Sequence, residues 1–157
     1  PDRLPQARAE GGRESGLMQV RTFTPADSEA VVQLWQDCGL TRPWNDPYKD
    51  IARKRSVSPD LFWVGCDVNG QVIATIMVGY DGHRGWINYL AVHPAHQRQG
   101  HARDLMKRAE QVLTEQGCPK LNLQIRAGNE AVIAFYESLD YADDQTVSLG
   151  KRLIPDL

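Results

Sequence analysis

The sequence predicts an α+β domain with a mixed, mostly antiparallel central sheet flanked by helices and containing one parallel pair of strands. Three observations carry this. Apolar runs and helical periodicities follow one another in the order β, α, α, β, β, β, α, β, α, β. Asn69-Gly70 lies between two β-branched runs and is the strongest short hairpin signal in the chain. Only the strand, helix and strand spanning 86–126 read as a crossover unit, so those two strands are expected to be parallel and the others antiparallel.

Residues 1–17 are rich in Gly and Arg and almost lack large apolar groups. They are expected to be a leader or a disordered extension, because they offer too little apolar surface to offset the entropy of ordering them. The working domain is then 18–157. Gln19–Phe23 reads as a first strand. Thr24-Pro25-Ala26-Asp27 is a helix start, with a hydroxyl N-cap, proline at N1 and an acid at N3, and Val31, Leu34, Trp35 and Cys38 recur behind it at helical spacing. Asp46-Pro47 starts a second helix after the loop 41–45. Residues 61–68 and 71–80 are apolar runs that form the two arms of the hairpin. Trp86–Val92 is the next strand, reached through Asp81-Gly82-His83-Arg84-Gly85.

The period then changes. Ala102, Leu105, Met106, Ala109, Val112 and Leu113 make one helical stripe, which Gly117 and Pro119 bring to an end. Leu121, Leu123 and Ile125 alternate with Asn122, Gln124 and Arg126, so 121–126 is read as a half-buried strand. A helix over 130–139 carries Val132, Phe135, Tyr136 and Leu139 on one side. Thr146–Leu153 is expected to be the last strand.

The chain has 157 residues, 41% hydrophobic and 24% charged, with 18 Lys and Arg against 20 Asp and Glu for a net charge of -2. Such a chain buries a core, hiding roughly two-thirds of its unfolded surface. It has no overall field to hold a polyanion, so any site for phosphate must be local, and no nucleic-acid partner is expected. Cys38, Cys66 and Cys118 are widely spaced, which argues against a disulfide framework and a structural zinc. No run reaches the length of a membrane span, so no membrane partner is expected and the location expected is cytoplasmic.

Between the strand ending at Val92 and the helix beginning near Arg98 lies His93-Pro94-Ala95-His96-Gln97-Arg98-Gln99-Gly100-His101-Ala102. A strand that feeds a helix through a turn holding Gly leaves several backbone N–H groups unpaired and aimed at one point, as a pyrophosphate requires. Arg98, Arg103, Lys107 and Arg108 add positive charge there. The alternative, that Gly100 only marks a turn and the basic residues form a solvated face, stays open on spacing alone. The patterns for nucleoside triphosphate and dinucleotide loops are absent.

Leu90-Ala91-Val92-His93-Pro94, followed by Gln97-x-x-Gly100-x-Ala102, resembles the acetyl-CoA signature of the GNAT N-acetyltransferase superfamily. Asn129-Glu130-Ala131, Ala134-Phe135-Tyr136-Glu137 and Leu139-Asp140-Tyr141 resemble that family's second conserved segment. The resemblance spans roughly 18–153. It implies a GNAT-like sheet whose parallel strands splay apart, with acetyl-CoA as co-substrate and no metal. It further implies that the backbone of Leu90, Ala91 and Val92 holds pantetheine like an added strand, and that the turn Gln97, Arg98, Gln99, Gly100, His101, Ala102 and Arg103 holds the pyrophosphate. Asn129 matches a residue that touches the pantetheine arm, although an N-cap role fits it equally. Tyr136 matches the tyrosine that assists the departing thiolate; by pattern alone it is part of a core stripe.

The resemblance implies a general base as well, and here Asn88 and Gln124 stand where a carboxylate is sought. Asp81 and His83 are candidates, though their loop reads as turn chemistry. For the acceptor, the resemblance points to Trp44, Asp46 and Tyr80, with Asn88 beside them; Asp46 also fits a helix cap. The acceptor expected is a small-molecule amine or a peptide. Asp140 replaces a family glycine, and 141–153 is too short for a long final hairpin, which leaves the acceptor site either unusually open or completed by a second subunit in a homodimer. A rival reading, a non-catalytic acyl-CoA-binding sensor, rests on the missing carboxylate.

Overall fold

The computed structural model describes residues 17–157. The expected leader therefore lies outside the described residues, apart from Leu17. Five strands form one sheet in sequence order: β1 (Gln19–Thr22), β2 (Phe62–Cys66), β3 (Val72–Tyr80), β4 (Gly85–Val92) and β5 (Leu121–Asn122). The first four pair antiparallel, while β4 and β5 are parallel. Helices α1 (Ser28–Asp37) and α2 (Pro47–Val57) cover one face, and α3 (His101–Glu115) and α4 (Glu130–Glu137) cover the other.

Coverage of both faces explains the near-continuous apolar runs of β2 and β3. Phe62, Val64, Cys66 and Met77 pack with Val31, Leu34 and Trp35 of α1, whereas Trp63, Ile76 and Val78 pack with Leu105, Met106, Ala109 and Leu113 of α3. The hairpin at Asn69-Gly70 forms as expected. Gly70 takes φ +80, and the Asp67 carboxylate accepts the amides of Asn69 and Gln71 at 2.9 and 3.0 Å. The expected helix start at Thr24 opens instead as a short 3-10 turn over Pro25–Asp27. Asp27 is buried there, accepting the amide of Thr24 at 2.8 Å and both terminal nitrogens of Arg21 at 2.7 and 2.8 Å.

Two strand expectations are corrected. The ladder predicted over 121–126 stops after Asn122, because β4 and β5 pair only at Gly85/Leu121 and Trp86/Asn122 before they diverge. Leu123 and Ile125 still pack on the α3 core, so their alternation reports packing rather than pairing. No strand forms over 146–153. Lys120 and Asn122 each bond Asp144 at 2.8 Å, and Gln124 bonds Ser148 at 2.6 Å. Contacts through side chains hold this segment beside β5 without a backbone ladder, which needs strands about 4.8 Å apart. Asp140 takes φ +70, so the position that reads as glycine in the resemblance does require a left-handed backbone, which Asp tolerates.

Candidate functional site

The divergence of β4 and β5 creates the site. From Ile87 to Val92, β4 pairs with β3 alone, leaving its other edge open. Leu90 and Val92 of β4, Leu123 and Ile125 beyond β5, and Tyr136 of α4 belong to one apolar cluster. Tyr136 thus belongs to the core cluster against which both splayed segments pack. Its ring is buried, with 8% of the residue exposed, and burial pushes the phenol up to about 12. Its hydroxyl has no hydrogen-bond partner among the described residues.

The open edge runs directly into the turn. Pro94–His96 is a 3-10 turn, Gln97 Nε2 donates to the Val92 carbonyl at 3.0 Å, and Arg98 and Gly100 take φ +63 and +82. A Cβ on Gly100 would meet nothing within 4 Å, so glycine is needed for the left-handed backbone, and the space beside it is free. α3 then begins at His101. The amides of Gly100, His101, Ala102 and Arg103 have no partner among the described residues, and the first helical bond is Asp104 N–H to the Gly100 carbonyl at 3.0 Å. Four free donors at the positive end of a 15-residue helix make an anion cradle. His101 is buried, which lowers its pKa, and its Nε2–H donates to Gln99 Oε1 at 3.1 Å.

The expected basic cluster is only partly free. Arg108 pairs with Asp104 at 3.1 Å, while Arg103 reaches the Ser138 hydroxyl at 3.5 Å and lines a groove between α3 and α4 with Lys107. Arg98 has no ion-pair partner among the described residues. His93 lies 3.5 Å from Asp37 of α1. Asn129 caps α4, accepting the Val132 amide at 3.4 Å.

The remaining candidates sit elsewhere. Asp46 caps α2 by accepting the Tyr48 amide at 2.9 Å, and Trp44 is 49% exposed on the preceding loop. Tyr80, Asp81 and His83 lie at the opposite end of β4, about 20 Å along the strand from Ala91 at roughly 3.3 Å per residue. Asp81 accepts the amides of His83 and Arg84 at 2.8 and 2.7 Å and the Trp86 indole at 3.1 Å, and the two backbone bonds lead in holding its carboxyl below the usual range. Asn88 is exposed on β4. The structure does not bring Asp81 or His83 to the splay.

One polar group escaped the sequence reading. Asn88 pairs with Met77 and Ala91 with Thr75, so two residues of β4, Tyr89 and Leu90, face the single Ile76. Tyr89 takes φ +50 at this bulge. Its ring stacks on Trp35 at 3.7 Å, its carbonyl accepts from buried Thr75 Oγ1 at 2.9 Å, and its hydroxyl donates to Asp50 at 2.6 Å. Asp50 also accepts from Asn45 at 2.7 Å and Arg53 at 2.6 Å. Burial opposes its ionisation, yet these three donors hold its carboxyl below the usual range. The group ties the Trp44 loop and α2 to the middle of β4. Only the unusual φ at Tyr89 marks it, and no sequence period contains that signal.

Comparison with known proteins agrees with this geometry. The sequence profile of the Acetyltransferase (GNAT) family matches residues 28–141. A protein of Yersinia pestis named as an uncharacterized N-acetyltransferase is 50% identical over 139 residues, covering 88% of this chain and 98% of its own. Among solved structures, Ard1 from Thermoplasma volcanium has a TM-score of 0.71 at 25% identity, covering 80% of this chain and 82% of its own. The ribosomal-protein-S18-alanine N-acetyltransferase of Escherichia coli has a TM-score of 0.64 at 25% identity, covering 78% and 76%.

Proposed function

The chain belongs to the GNAT acetyltransferase family, and from that premise we propose that it transfers the acetyl group of acetyl-CoA to a primary amine by direct attack, both substrates being bound together. The amine is that of a small molecule or a peptide N-terminus. The observation that carries this reading is the continuity of the open β4 edge with the four unpaired amides of Gly100 to Arg103. That arrangement suits a ligand with an extended amide arm and a pyrophosphate at one end. Acetyl-CoA, when bound, supplies the acyl group as an activated thioester.

In this reading the backbone of Leu90, Ala91 and Val92 bonds the pantetheine arm, with Asn129 near it, and the turn from Gln97 to Arg103 holds the pyrophosphate. Tyr136 donates a hydrogen bond to the sulfur as it departs. A phenol pushed up to about 12 by burial is a poor proton donor to a thiolate whose thiol has a reference pKa near 8.5. Full transfer is uphill by about 3.5 units, or roughly 5 kcal/mol, so Tyr136 stabilises the thiolate by hydrogen bonding instead of surrendering its proton. Positioning of the two reactants supplies much of the rate.

The acceptor must arrive neutral. Asp81 is engaged by three donors, Asp50 by three others, and Gln124 by Ser148. With Asp81 and Asp50 engaged and Gln124 an amide, deprotonation either uses another base or is cheap. Neutralising lysine at pH 7 costs roughly 4.6 kcal/mol, whereas an α-amine costs about 1.0 to 1.4 kcal/mol. An amine of low pKa is the acceptor this reading favours. The Escherichia coli neighbour, named for an alanine of a ribosomal protein, is in keeping with a peptide acceptor.

A panel of amines and peptides, scored for free thiol and for product mass, tests the reading. We expect α-amines and other low-pKa amines to be acetylated at pH 7 well ahead of internal lysines. A clear lysine preference would overturn the low-pKa acceptor. Acetyl-CoA binding without acceptor-dependent thiol release would favour the sensor.

A further inference from the structure

Past α4 the one side chain taken out of water is a charged one. From 142 to 157 Asp156 alone is buried, at 6% exposed, while Leu149, Leu153 and Ile154 stay in solvent. A buried carboxylate is tolerated only where it is paired, and Asp156 is. Its two oxygens accept from the two terminal nitrogens of Arg53 on α2, at 3.2 and 2.9 Å, the forked fit that fixes a guanidinium in one plane. Arg53 Nη2 also donates to Asp50 at 2.6 Å. The other oxygen of Asp50 accepts from Asn45 at 2.7 Å and from the Tyr89 hydroxyl at 2.6 Å. By a second route, the Asp156 carbonyl accepts the Asp46 amide at 2.8 Å. Asn45 and Asp46, the two residues that follow Trp44, are therefore both tied to one aspartate, the first through its carboxylate and the second through its backbone.

We propose that Asp156 is a positioning residue for the acceptor: through Arg53 and Asp50 it clamps the Trp44 loop onto β4 at Tyr89. This rests on the acetyl transfer proposed above, with the acceptor beside Trp44, Asp46 and Asn88. Tyr89 stands between Asn88 and Leu90, so a loop bonded to its hydroxyl keeps a set distance from the strand edge assigned to the pantetheine arm. Stability is a small part of the clamp, since the Arg53 side chain is 49% exposed and ion pairs open to water contribute little. Its effect is geometric. The loop 41–46, α2, β4 and the segment at Asp156 are far apart in sequence and meet in one chain of bonds. A loop already ordered when the acceptor arrives need not be ordered by it, which favours binding. Asp156 touches no substrate in this arrangement and acts only through Arg53, Asp50 and Asp46.

Steady-state kinetics of the full chain tests this, with acetyl-CoA affinity followed by calorimetry. Asp156→Asn keeps the backbone bond to Asp46 and the size of the side chain, but removes the charge that holds Arg53. The KM of the best amine in the panel should rise about 10-fold, with kcat within about threefold and the Kd for acetyl-CoA within about twofold. Tyr89→Phe keeps the ring on Trp35, loses the hydroxyl, and should give the same split. Both act on one chain of bonds, so the double variant should raise KM by much less than the product of the single effects. Should Asp156→Asn alter the circular dichroism, Tyr89→Phe carries the test. An unchanged acceptor KM in both variants overturns the proposal whatever the melting temperature does, and so do effects that multiply independently or that weaken acetyl-CoA as much as the amine. Amide hydrogen exchange without substrate separates this outcome from a failure of the acetyl-transfer reading: exchange across 41–46 should quicken in both variants while 97–103 is unchanged. If the wild type acetylates no amine, the reading fails and exchange decides the clamp by itself; equal exchange across 41–46 in wild type and variants overturns it.

Discussion

The two turns that bound β4 look alike in sequence and differ in what they leave undone. Asp81-Gly82-His83-Arg84 and Gln97-Arg98-Gln99-Gly100-His101 are both polar, carry a His and an Arg, and are built around a left-handed glycine. In the first, the Asp81 carboxylate takes up two amides and an indole, and the Asp81 amide bonds the Arg84 carbonyl at 3.2 Å. In the second, four successive amides have no acceptor within the described chain. A turn that satisfies its own donors is structure. A turn that does not leaves donors with which a helix start can hold an anion.

Three substitutions press on this contrast. The largest effect is expected at Tyr136, where the open end of β4 meets α4. Tyr136→Phe should lower turnover about 10- to 1,000-fold, the scale of one positioned donor, while acetyl-CoA affinity measured by calorimetry stays the same. Unchanged turnover would remove Tyr136 from the chemistry. Next is Gly100→Val, which opposes a φ of +82 and fills the free space beside the amides. Affinity for CoA should fall about 10- to 100-fold, since a left-handed β-branched residue costs at least about 1–2 kcal/mol and the cradle loses its shape.

The smallest effect is expected at the self-satisfied turn. Asp81→Ala should leave kcat/KM within about twofold and lower only the melting temperature. The sign with pH follows from the depressed carboxyl of Asp81. A group held below its unfolded value stabilises the fold above that value, near pH 4, and loses the effect as pH falls through the folded one. The melting gap between wild type and Asp81→Ala should therefore be full at pH 7 and close in acid. A large activity loss in this variant would erase the distinction between the two turns.

Much of this was legible before any coordinates. Helix α3 follows from its stripe of Leu105, Met106, Ala109 and Leu113, and the hairpin from Asn69-Gly70, because both signals are local. The free turn was legible for a related reason: strand, turn with Gly100 and helix follow each other without a gap. What failed was any inference from alternation to pairing. Leu123 and Ile125 alternate with polar residues because one side meets the α3 core, and the segment 146–153 lies beside β5 through the side chains of Asp144 and Ser148; neither stretch forms a backbone ladder. The Asp50–Tyr89 bond was out of reach for another reason. Its partners are 39 residues apart, and the bulge that aims Tyr89 at α2 shifts the phase of the strand.

That bulge has a consequence in terms of codons. Before it, Ile87 faces the α3 core; after it, Leu90 and Val92 do, while Tyr89 and Ala91 face α1. Delete the single codon for Tyr89 and Ile87, Leu90 and Val92 fall back on one face by plain alternation, with Ala91 still opposite Thr75. The sheet would be more regular without that residue. Tyr89 is thus the extra residue of the bulge, held at φ +50 with its hydroxyl against Asp50 and its carbonyl on Thr75.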